Sequence, residues 1–420
     1  MRCVERPWRH KAGWNDGSKP RLRDRCTVLS VLQETNLQSA EGFRRLMLKV
    51  VSLLAAVFVG CISGHAQGPL RVAVVGLVHD HVRGFFGTLA SHPEVRLVGV
   101  SEPDAALRQK YATLTKLPES LFFADEASML AATHPQVILV YTSIAGHRAA
   151  IEQAAKLHIA AMVEKPLATT VEDALAIQRL SKEYNVPVLT NYETTWYASN
   201  TAAHAMLEEG KIGEFRKMVV HDGHRGPIEI GVSPEFAKWL TDPKENGAGA
   251  LFDFGCYGVD LATWFMHGEL PLTVSAVTLH DKPEIYPKVE DDSTIVLGYP
   301  HTQVIVQGSW NWPFDRKDME VYGSKGYVDT VYLDSAHGEQ MRVRLPGERA
   351  EHVETAPALA PAESNSLSYL AAVMNGSLKP QHDLTSLDTN VVVVRILDAA
   401  RRAAATGRTI RLEDEVHPAP

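Results

Sequence analysis

Apolar and polar residues alternate in a regular way between positions 70 and 190 of the chain. Short runs rich in β-branched residues are apolar throughout, which is typical of parallel strands buried on both faces. The stretches between them carry apolar residues at helical spacing, and Thr170 stands three residues before Asp173, a pattern that predicts a helix N-cap. The pattern therefore predicts an α/β fold with a Rossmann-type, doubly wound parallel sheet. Its predicted strands are residues 71–76, 95–100, 137–142, 159–164 and 186–191.

The pattern changes after Asn191. Strand-like segments now alternate apolar and polar residues and are separated by turn signals, which favours a C-terminal α+β domain with an open, mostly antiparallel sheet. Two helical segments follow, with Gly376 and Gly407 near their C-terminal ends. We predict three parts: an N-terminal extension and export signal (1–67), an NAD-binding Rossmann domain (68–190), and a substrate and oligomerisation domain with closing helices (191–420).

The N-terminal segment has the anatomy of a signal peptide. A basic stretch containing Arg44 and Arg45 precedes an apolar run, which ends at the small-residue site Gly64-His65-Ala66. The arginine pair predicts the twin-arginine export machinery, whereas a start at Met47 would leave a general secretory signal. Either route predicts a periplasmic or exported protein, and a signal that does not function predicts a cytoplasmic one.

The amino-acid composition restricts the kinds of molecule that the protein is expected to bind. The net charge is −8 and the main body has no block of Lys and Arg, which excludes a nucleic-acid surface and favours a small molecule. Of the four cysteines, only Cys256 lies beyond the signal. The mature chain is therefore expected to form no intrachain disulfide and no Cys-rich zinc site.

The first predicted strand ends at Gly76, where a dinucleotide-binding loop would place two further glycines. Val78 and His81 occupy those positions, so we predict a modified cradle built from helix N–H groups and an imidazole. Glu102 follows the second strand, where a carboxylate accepts ribose hydroxyls and disfavours the extra phosphate, so NAD is favoured over NADP. The full predicted cofactor set is Gly76, Val78, His79, His81, Glu102, Thr142, His147, Glu164 and Lys165.

Two further motifs carry candidate chemistry. Lys165 precedes Pro166 at a strand end, which favours an extended conformation and an amine that reaches a substrate hydroxyl. In the second domain Asp253, Tyr257 and Asp260 have the spacing of one helix face. A lysine beside Tyr257 would lower the pKa of its phenol and make the two an acid–base pair. Alternatively, Tyr257 is a buried residue whose hydroxyl is satisfied by Asp253.

Together these residues resemble the Gfo/Idh/MocA oxidoreductases over about residues 70–410. The resemblance implies a tightly bound nicotinamide dinucleotide, Lys165 as catalytic lysine with Asp253 as its partner, and a homo-oligomer formed through the C-terminal sheet. Position 257 is usually histidine in the family. Tyrosine there is similar to the glucose–fructose oxidoreductase branch, which includes periplasmic members exported with cofactor bound.

The resulting hypothesis is an NAD-dependent oxidoreductase that acts on a sugar, polyol or related alcohol by hydride transfer. Two alternatives stay open: an NAD-dependent enzyme that cleaves glycosides by transient oxidation and elimination, and a non-catalytic sugar-binding relative. We expect no metal site, because loop histidines more often bind backbone or sugar hydroxyls. The predicted substrate-binding residues are Tyr192, Trp196, His224, Arg225, Asp253 and Tyr257.

Overall fold

A computed structural model of the protein describes residues 68–331 and 339–412. The predicted export signal and its alternative start lie outside the described residues. The first sheet is parallel, has six strands and has the order β3-β2-β1-β4-β5-β6, which confirms the doubly wound architecture. Its strands are β1 (Leu70–Val75), β2 (Val95–Ser101), β3 (Phe122–Phe123), β4 (Val137–Val140), β5 (Ala160–Glu164) and β6 (Val188–Asn191). Strand β3 was not predicted, because two residues show no periodicity.

Helices connect the parallel strands. They are α1 (His81–Thr88), α2 (Ala105–Thr115), α3 (Glu126–Thr133), α4 (His147–Ala155) and α5 (Val171–Tyr184). The predicted N-cap of α5 is confirmed, because the Thr170 side chain accepts the Asp173 N–H. Apolar side chains from both sides of the sheet fill two cores, which agrees with the continuous apolar character of its strands.

The second sheet has nine strands in the order β14-β13-β12-β11-β7-β10-β9-β8-β15. Every pair is antiparallel except β7 and β10, which confirms the mostly antiparallel prediction. The strands are β7 (Phe215–Gly223), β8 (Thr273–Leu279), β9 (Asp292–Gly298), β10 (Gln303–Ser309), β11 (Arg316–Gly323), β12 (Tyr327–Val331), β13 (Gln340–Arg344), β14 (His352–Thr355) and β15 (Ile410–Arg411). The accompanying helices are α6 (Ala198–Glu208), α7 (Pro234–Leu240), α8 (Pro243–Asn246), α9 (Ala250–Asp253) and α10 (Gly255–Phe265).

Two closing helices, α11 (Ser366–Met374) and α12 (Leu387–Thr406), pack against both sheets. Leu370 of α11 belongs to a core of the first sheet, whereas Leu397 of α12 belongs to the core of the second. Helix α12 ends at Gly407, whose φ of 65° gives the left-handed C-cap that a glycine adopts readily. Among the described residues, no helix combines the length and apolar character needed to cross a membrane.

Candidate active site

A cavity of about 350 Å³ lies where the carboxyl ends of the parallel strands meet the second sheet. Ligands of doubly wound folds bind at these strand ends. Lys165 follows β5 and reaches this cavity, Tyr257 comes from α10, and Lys317 comes from β11. The rest of the wall includes Glu193, His224, Phe236, Asp253 and Phe254.

Lys165 and Asp253 form a buried ion pair at the base of the cavity. The ammonium Nζ donates to Asp253 Oδ1 at 2.6 Å and to the Asp253 carbonyl oxygen at 2.8 Å. The other carboxylate oxygen accepts from Trp310 Nε1 at 2.9 Å. Burial opposes both charges, but the attraction between them prevails and leaves the pKa of Lys165 raised and that of Asp253 lowered. Lys165 is therefore a protonated hydrogen-bond donor held in one orientation.

Tyr257 lies between two ammonium groups. Lys165 Nζ is 4.7 Å and Lys317 Nζ is 4.5 Å from the centroid of its ring. Burial, followed by the charges of Glu193 and Asp222, raises the pKa of the phenol well above its usual value. The expected lowering by Lys165 is wrong, because that ammonium lies over the ring and Asp253 neutralises its charge. Tyr257 is a neutral phenol that can donate a proton.

Lys317 is a cavity residue that the sequence analysis missed. Its ammonium pairs with Glu193, and its strand position is directly opposite Asp222 on β7. Burial opposes the charge of Lys317, but Asp222 and Glu193 raise its pKa. Burial also raises the pKa of Asp222 well above its usual value. No local signal identifies Lys317, because only the pairing of β11 with β7 brings it to the cavity.

The glycine-led segment before Tyr257 differs from the predicted single helix. Helix α9 ends at Asp253 and α10 begins at Gly255, so the backbone bends between the two functional side chains. A Cβ on Gly249 would lie 1.9 Å from the Glu290 carbonyl oxygen, so only glycine permits this close approach. Asp260 lies on α10, fully buried, with no hydrogen-bond partner for its carboxyl oxygens among the described residues. Asp253 lines the cavity and Asp260 does not, and the two lie on different helices, which corrects the prediction of one shared helix face.

The strand-end residues predicted to bind cofactor occupy the edge of the first sheet. Gly76 has a φ of 84°, and a Cβ there would lie 2.8 Å from the Thr142 backbone nitrogen. Glu102 is 3% exposed, and its two oxygens accept the backbone N–H groups of Leu77 and Asp104 at 2.8 and 3.0 Å. Burial raises the pKa of this carboxyl. Glu102 therefore stands at the predicted position but supports the turn after β1, a role that the sequence analysis did not predict.

His147 supplies a test of whether these residues fit a dinucleotide. Its Nδ1 lies 3.1 Å from the Leu167 carbonyl oxygen, so Nδ1 carries the proton of the neutral ring and Nε2 is an acceptor. Burial lowers the pKa of His147 to about 4, which keeps the ring neutral. The buried Nε2 has no partner among the described residues. An acceptor in this position fits a ribose hydroxyl or a carboxamide N–H, so the residues at the ends of β4 and β5 fit the nicotinamide half of such a cofactor.

The loop between β1 and α1 is packed against α7. Trp239 Nε1 donates to the Val78 carbonyl oxygen at 3.2 Å, and the ring centroids of Phe236 and His79 are 4.8 Å apart. Burial lowers the pKa of His79 well below its usual value. His81 approaches Glu164, with 2.9 Å between Nδ1 and Oε2. Val78 and His79 thus contact protein, and His81 lines the cavity.

Three of the predicted substrate residues, Tyr192, Trp196 and Arg225, do not line the main cavity. Tyr192 is fully buried and packs edge-on against Tyr257, with 5.6 Å between ring centroids. Trp196 donates from Nε1 to Asn191 Oδ1 and lines a different, smaller cavity. Arg225 is exposed on the loop after β7. Aromatic and cationic residues in loops do not reveal which way they face, whereas His224, from the same loop as Arg225, does line the main cavity.

The fold defines a Rossmann-like parallel sheet with helices, joined to a C-terminal part built on a mostly antiparallel sheet. Residues 70–192 match the family model described as the oxidoreductase family with an NAD-binding Rossmann fold, and residues 200–329 match the GFO/IDH/MocA C-terminal domain. The chain belongs to the Gfo/Idh/MocA oxidoreductase family. This confirms the resemblance noted from the sequence and the oxidoreductase assignment.

Relatives extend over most of the chain. D-apiose dehydrogenase of Paraburkholderia graminis is 31% identical over 71% of this chain and 78% of its own length. D-xylose 1-dehydrogenase [NADP(+)] of Haloarcula marismortui is 24% identical over 83% of this chain and 94% of its own. The crystal structure of aldose–aldose oxidoreductase from Caulobacter crescentus with glycerol superimposes with a TM-score of 0.70 at 25% identity, covering 82% of this chain and 99% of that one. The chain thus joins a family of sugar and polyol oxidoreductases.

Proposed function

We propose that this protein is an NAD-dependent oxidoreductase that interconverts a carbonyl and a hydroxyl group on a sugar, polyol or related alcohol. The observation that carries the proposal is the buried Lys165–Asp253 pair, which opens into the same cavity as the neutral phenol of Tyr257. The names of the relatives, which include sugar dehydrogenases and a 1,5-anhydro-D-fructose reductase, support this substrate class.

The protonation states of the site suit the direction in which a carbonyl is reduced. The Lys165 ammonium donates a hydrogen bond to the substrate oxygen and polarises the carbonyl, while Asp253 holds the ammonium in place. Tyr257 transfers its phenolic proton to that oxygen as the new C–H bond forms, and solvent then returns a proton to the phenolate. When bound, the reduced nicotinamide supplies the hydride. Oxidation is the same sequence in reverse and requires the phenolate at its start.

The chain offers a defined set of cofactor contacts. His147, Glu164 and Lys165 would hold the nicotinamide half, and Gly76 and Glu102 shape the turn beside the ribose position. We propose NAD rather than NADP because the matching family model is described as an NAD-binding Rossmann fold, although one relative carries NADP(+) in its name. We further propose tight cofactor binding and a homo-oligomer formed through the second sheet. The homo-oligomer is supported by Val277 and Leu279, two large apolar residues that are exposed on β8 of the second sheet.

The experiment has two readouts. Gentle denaturation of the protein should release a nicotinamide dinucleotide that mass spectrometry detects. In a screen of aldoses, ketoses and polyols, a substrate should change the absorbance of the nicotinamide. Lys165→Met should abolish turnover and retain the dinucleotide, whereas the exposed-lysine control Lys211→Met should keep both. Full activity of Lys165→Met, or a protein that neither carries nor binds a dinucleotide, would refute the proposal.

We also propose that the protein is exported to the periplasm, on the strength of the signal anatomy around Arg44 and Ala66. Residues 1–67 fused to a reporter enzyme should direct it to the periplasm. Replacement of both Arg44 and Arg45 by lysine should block export if the twin-arginine route is used, and leave it intact if the secretory route is used. A reporter that stays in the cytoplasm in the unmodified fusion would contradict the proposal.

A further inference from the structure

The ends of β1 and β5 bring together three side chains that can bind a metal ion. His79 lies in the loop after β1, His81 is the first residue of α1, and Glu164 is the last residue of β5. One donor atom from each lies within 4.8 Å of the others. Two imidazoles and one carboxylate are a donor set typical of divalent transition metals bound with open coordination positions.

Neighbouring groups hold these donors in place. Asn191 Nδ2 donates to Glu164 Oε1 at 2.9 Å, and Trp196 Nε1 donates to Asn191 Oδ1 at 3.1 Å. This chain of hydrogen bonds leaves Glu164 Oε2 directed at His81. Outer-shell hydrogen bonds of this kind orient the ligands of metal sites.

A metal ion would replace two hydrogen bonds that the ligand residues now make to one another. A proton lies between His81 Nδ1 and Glu164 Oε2, which are 2.9 Å apart, and a metal ion can take its place. The displaced proton can move to Nε2 of the same ring, because the His81 side chain is 42% exposed. His79 Nδ1 accepts the His81 N–H at 3.3 Å and is therefore unprotonated, so a metal ion bound there would displace this long hydrogen bond. Lys165, the nearest cation along the chain, is neutralised by Asp253 at 2.6 Å.

We propose that His79, His81 and Glu164 form a binding site for a divalent transition-metal ion of the Zn²⁺ class at the edge of the substrate cavity. Because His81 and Lys165 both line that cavity, the open coordination positions would face a bound substrate oxygen. The sequence analysis expected no metal, because loop histidines more often bind backbone or sugar hydroxyls. Glu164 joins them only through the pairing of β1, β4 and β5.

The test is metal binding by the full chain. Elemental analysis of purified protein and calorimetric titration with Zn²⁺ after chelator treatment should give one ion per chain, and Co²⁺ should give the visible absorption of a low-coordinate nitrogen and oxygen site. His81→Ala removes a half-exposed ligand and should weaken Zn²⁺ binding by about 100-fold or more, while Asn191→Ala, which frees Glu164, should weaken it by about 10- to 100-fold. The control His301→Ala changes an exposed histidine in the turn after β9 and should bind like wild type.

A wild-type chain that binds no stoichiometric Zn²⁺ would overturn the proposal. The same holds if folded His81→Ala, verified by its thermal transition, binds Zn²⁺ as tightly as wild type. Metal binding can be measured independently of the proposed oxidoreductase activity, although His79, His81 and Glu164 all belong to the predicted cofactor set. Dinucleotide content is therefore measured in the same samples, so that loss of the metal and loss of the cofactor are seen separately.

Discussion

The Lys165–Asp253 ion pair places a hydrogen-bond donor in the cavity, and it also affects the stability of the folded protein. Both side chains are less than one tenth exposed, so each charge depends on the other for its solvation. Removal of one partner leaves an uncompensated buried charge. A loss of activity in Lys165→Met must therefore be separated from a loss of folding.

Measurements of the free energy of unfolding distinguish a loss of catalysis in Lys165→Met from a loss of folding. Lys165→Met should lower the free energy of unfolding by about 3–5 kcal/mol, because Asp253 stays buried without its cation. Adding Asp253→Asn should recover a large part of that loss, since an amide at position 253 can still accept the Trp310 N–H. Urea unfolding of both variants measures the two values. Equal destabilisation in the single and double variants would show that the pair is not coupled as described.

Tyr257 and Tyr192 offer a matched comparison, because both are fully buried tyrosines whose rings touch. Only Tyr257 lines the main cavity. Tyr257→Phe should lower kcat for carbonyl reduction by about 10²- to 10⁴-fold, the usual contribution of a positioned proton donor. Tyr192→Phe should leave kcat within a few-fold of wild type. Steady-state kinetics of the two variants measures both kcat values. A similar decrease of kcat in both variants would show that Tyr257 is not the proton donor.

Glu126 is a buried carboxyl that forms no ion pair with any residue in the described part of the chain. Burial raises its pKa to about 8, so the folded chain keeps its proton above the pH at which the unfolded chain releases it. The native state thus binds more protons between pH 4.5 and 8, and the stability contributed by this group falls as the pH rises through that window. Glu126→Gln, with the exposed Glu172→Gln as control, should stabilise the protein by about 2 kcal/mol more at pH 7 than at pH 5. A gain in unfolding free energy that does not change with pH would contradict this reading.

Residues at strand ends were predictable because strand ends are visible in the apolar pattern. Lys165, Glu164 and Gly76 all follow recognisable buried strands, and the structure places each at the predicted edge. Residues in loops and on the second sheet were less predictable. Trp196 faces another cavity, and Lys317 reaches the active site only through its cross-strand register with Asp222.

Among the elements, the long periodic helices and the buried strands were predicted with nearly the observed bounds. The break between α9 and α10 was not, because the sequence spacing of Asp253 and Tyr257 is also that of a continuous helix. Tertiary packing surrounds the break, since a Cβ on Gly308 of β10 would lie only 2.8 Å from the backbone nitrogen of Gly255. Local propensity cannot show such a contact between distant segments.

The contribution of a capping residue to the free energy of unfolding can be measured at the start of helix α5. Thr170 Oγ1 accepts the Asp173 N–H at 3.1 Å and donates to the Asp173 carboxylate at 2.9 Å. Thr170→Ala removes both contacts and should lower the free energy of unfolding by about 1 kcal/mol, within the usual range of roughly 0.5–2. Thr113→Ala, in the interior of α2, changes the same side chain away from a helix start and should be near neutral or slightly stabilising. If Thr170→Ala is no more harmful than Thr113→Ala, the cap does not stabilise the helix.

At the scale of the whole molecule, α7, α8 and the residue before α7 contact the first sheet's loops and helices near the carboxyl ends of its strands. Ser233 N–H donates to the Asp80 carboxylate at 2.7 Å, Lys110 pairs with Glu235 at 2.9 Å, and Ser143 donates to Glu245 at 2.6 Å. Lys110 lies on α2 of the first sheet and Glu235 on α7. The two halves of the molecule therefore meet through polar contacts at the edge where a dinucleotide would lie.

The buried imidazole of His147 makes the stability of the whole molecule sensitive to acid. Burial lowers the pKa of His147 to about 4, whereas an unfolded histidine titrates near 6.5. Between these values the unfolded chain binds more protons than the folded chain, so stability is unaffected above pH 6.5 and is lost as the pH falls towards 4. The loss from this one ring should reach about 2 kcal/mol at pH 5. His147→Gln can retain an N–H donor for the Leu167 carbonyl but cannot titrate, so its unfolding free energy should fall less steeply with acid than that of wild type. Urea unfolding at pH 7, 6 and 5 compares the two slopes, and parallel curves would mean that another group governs the acid sensitivity.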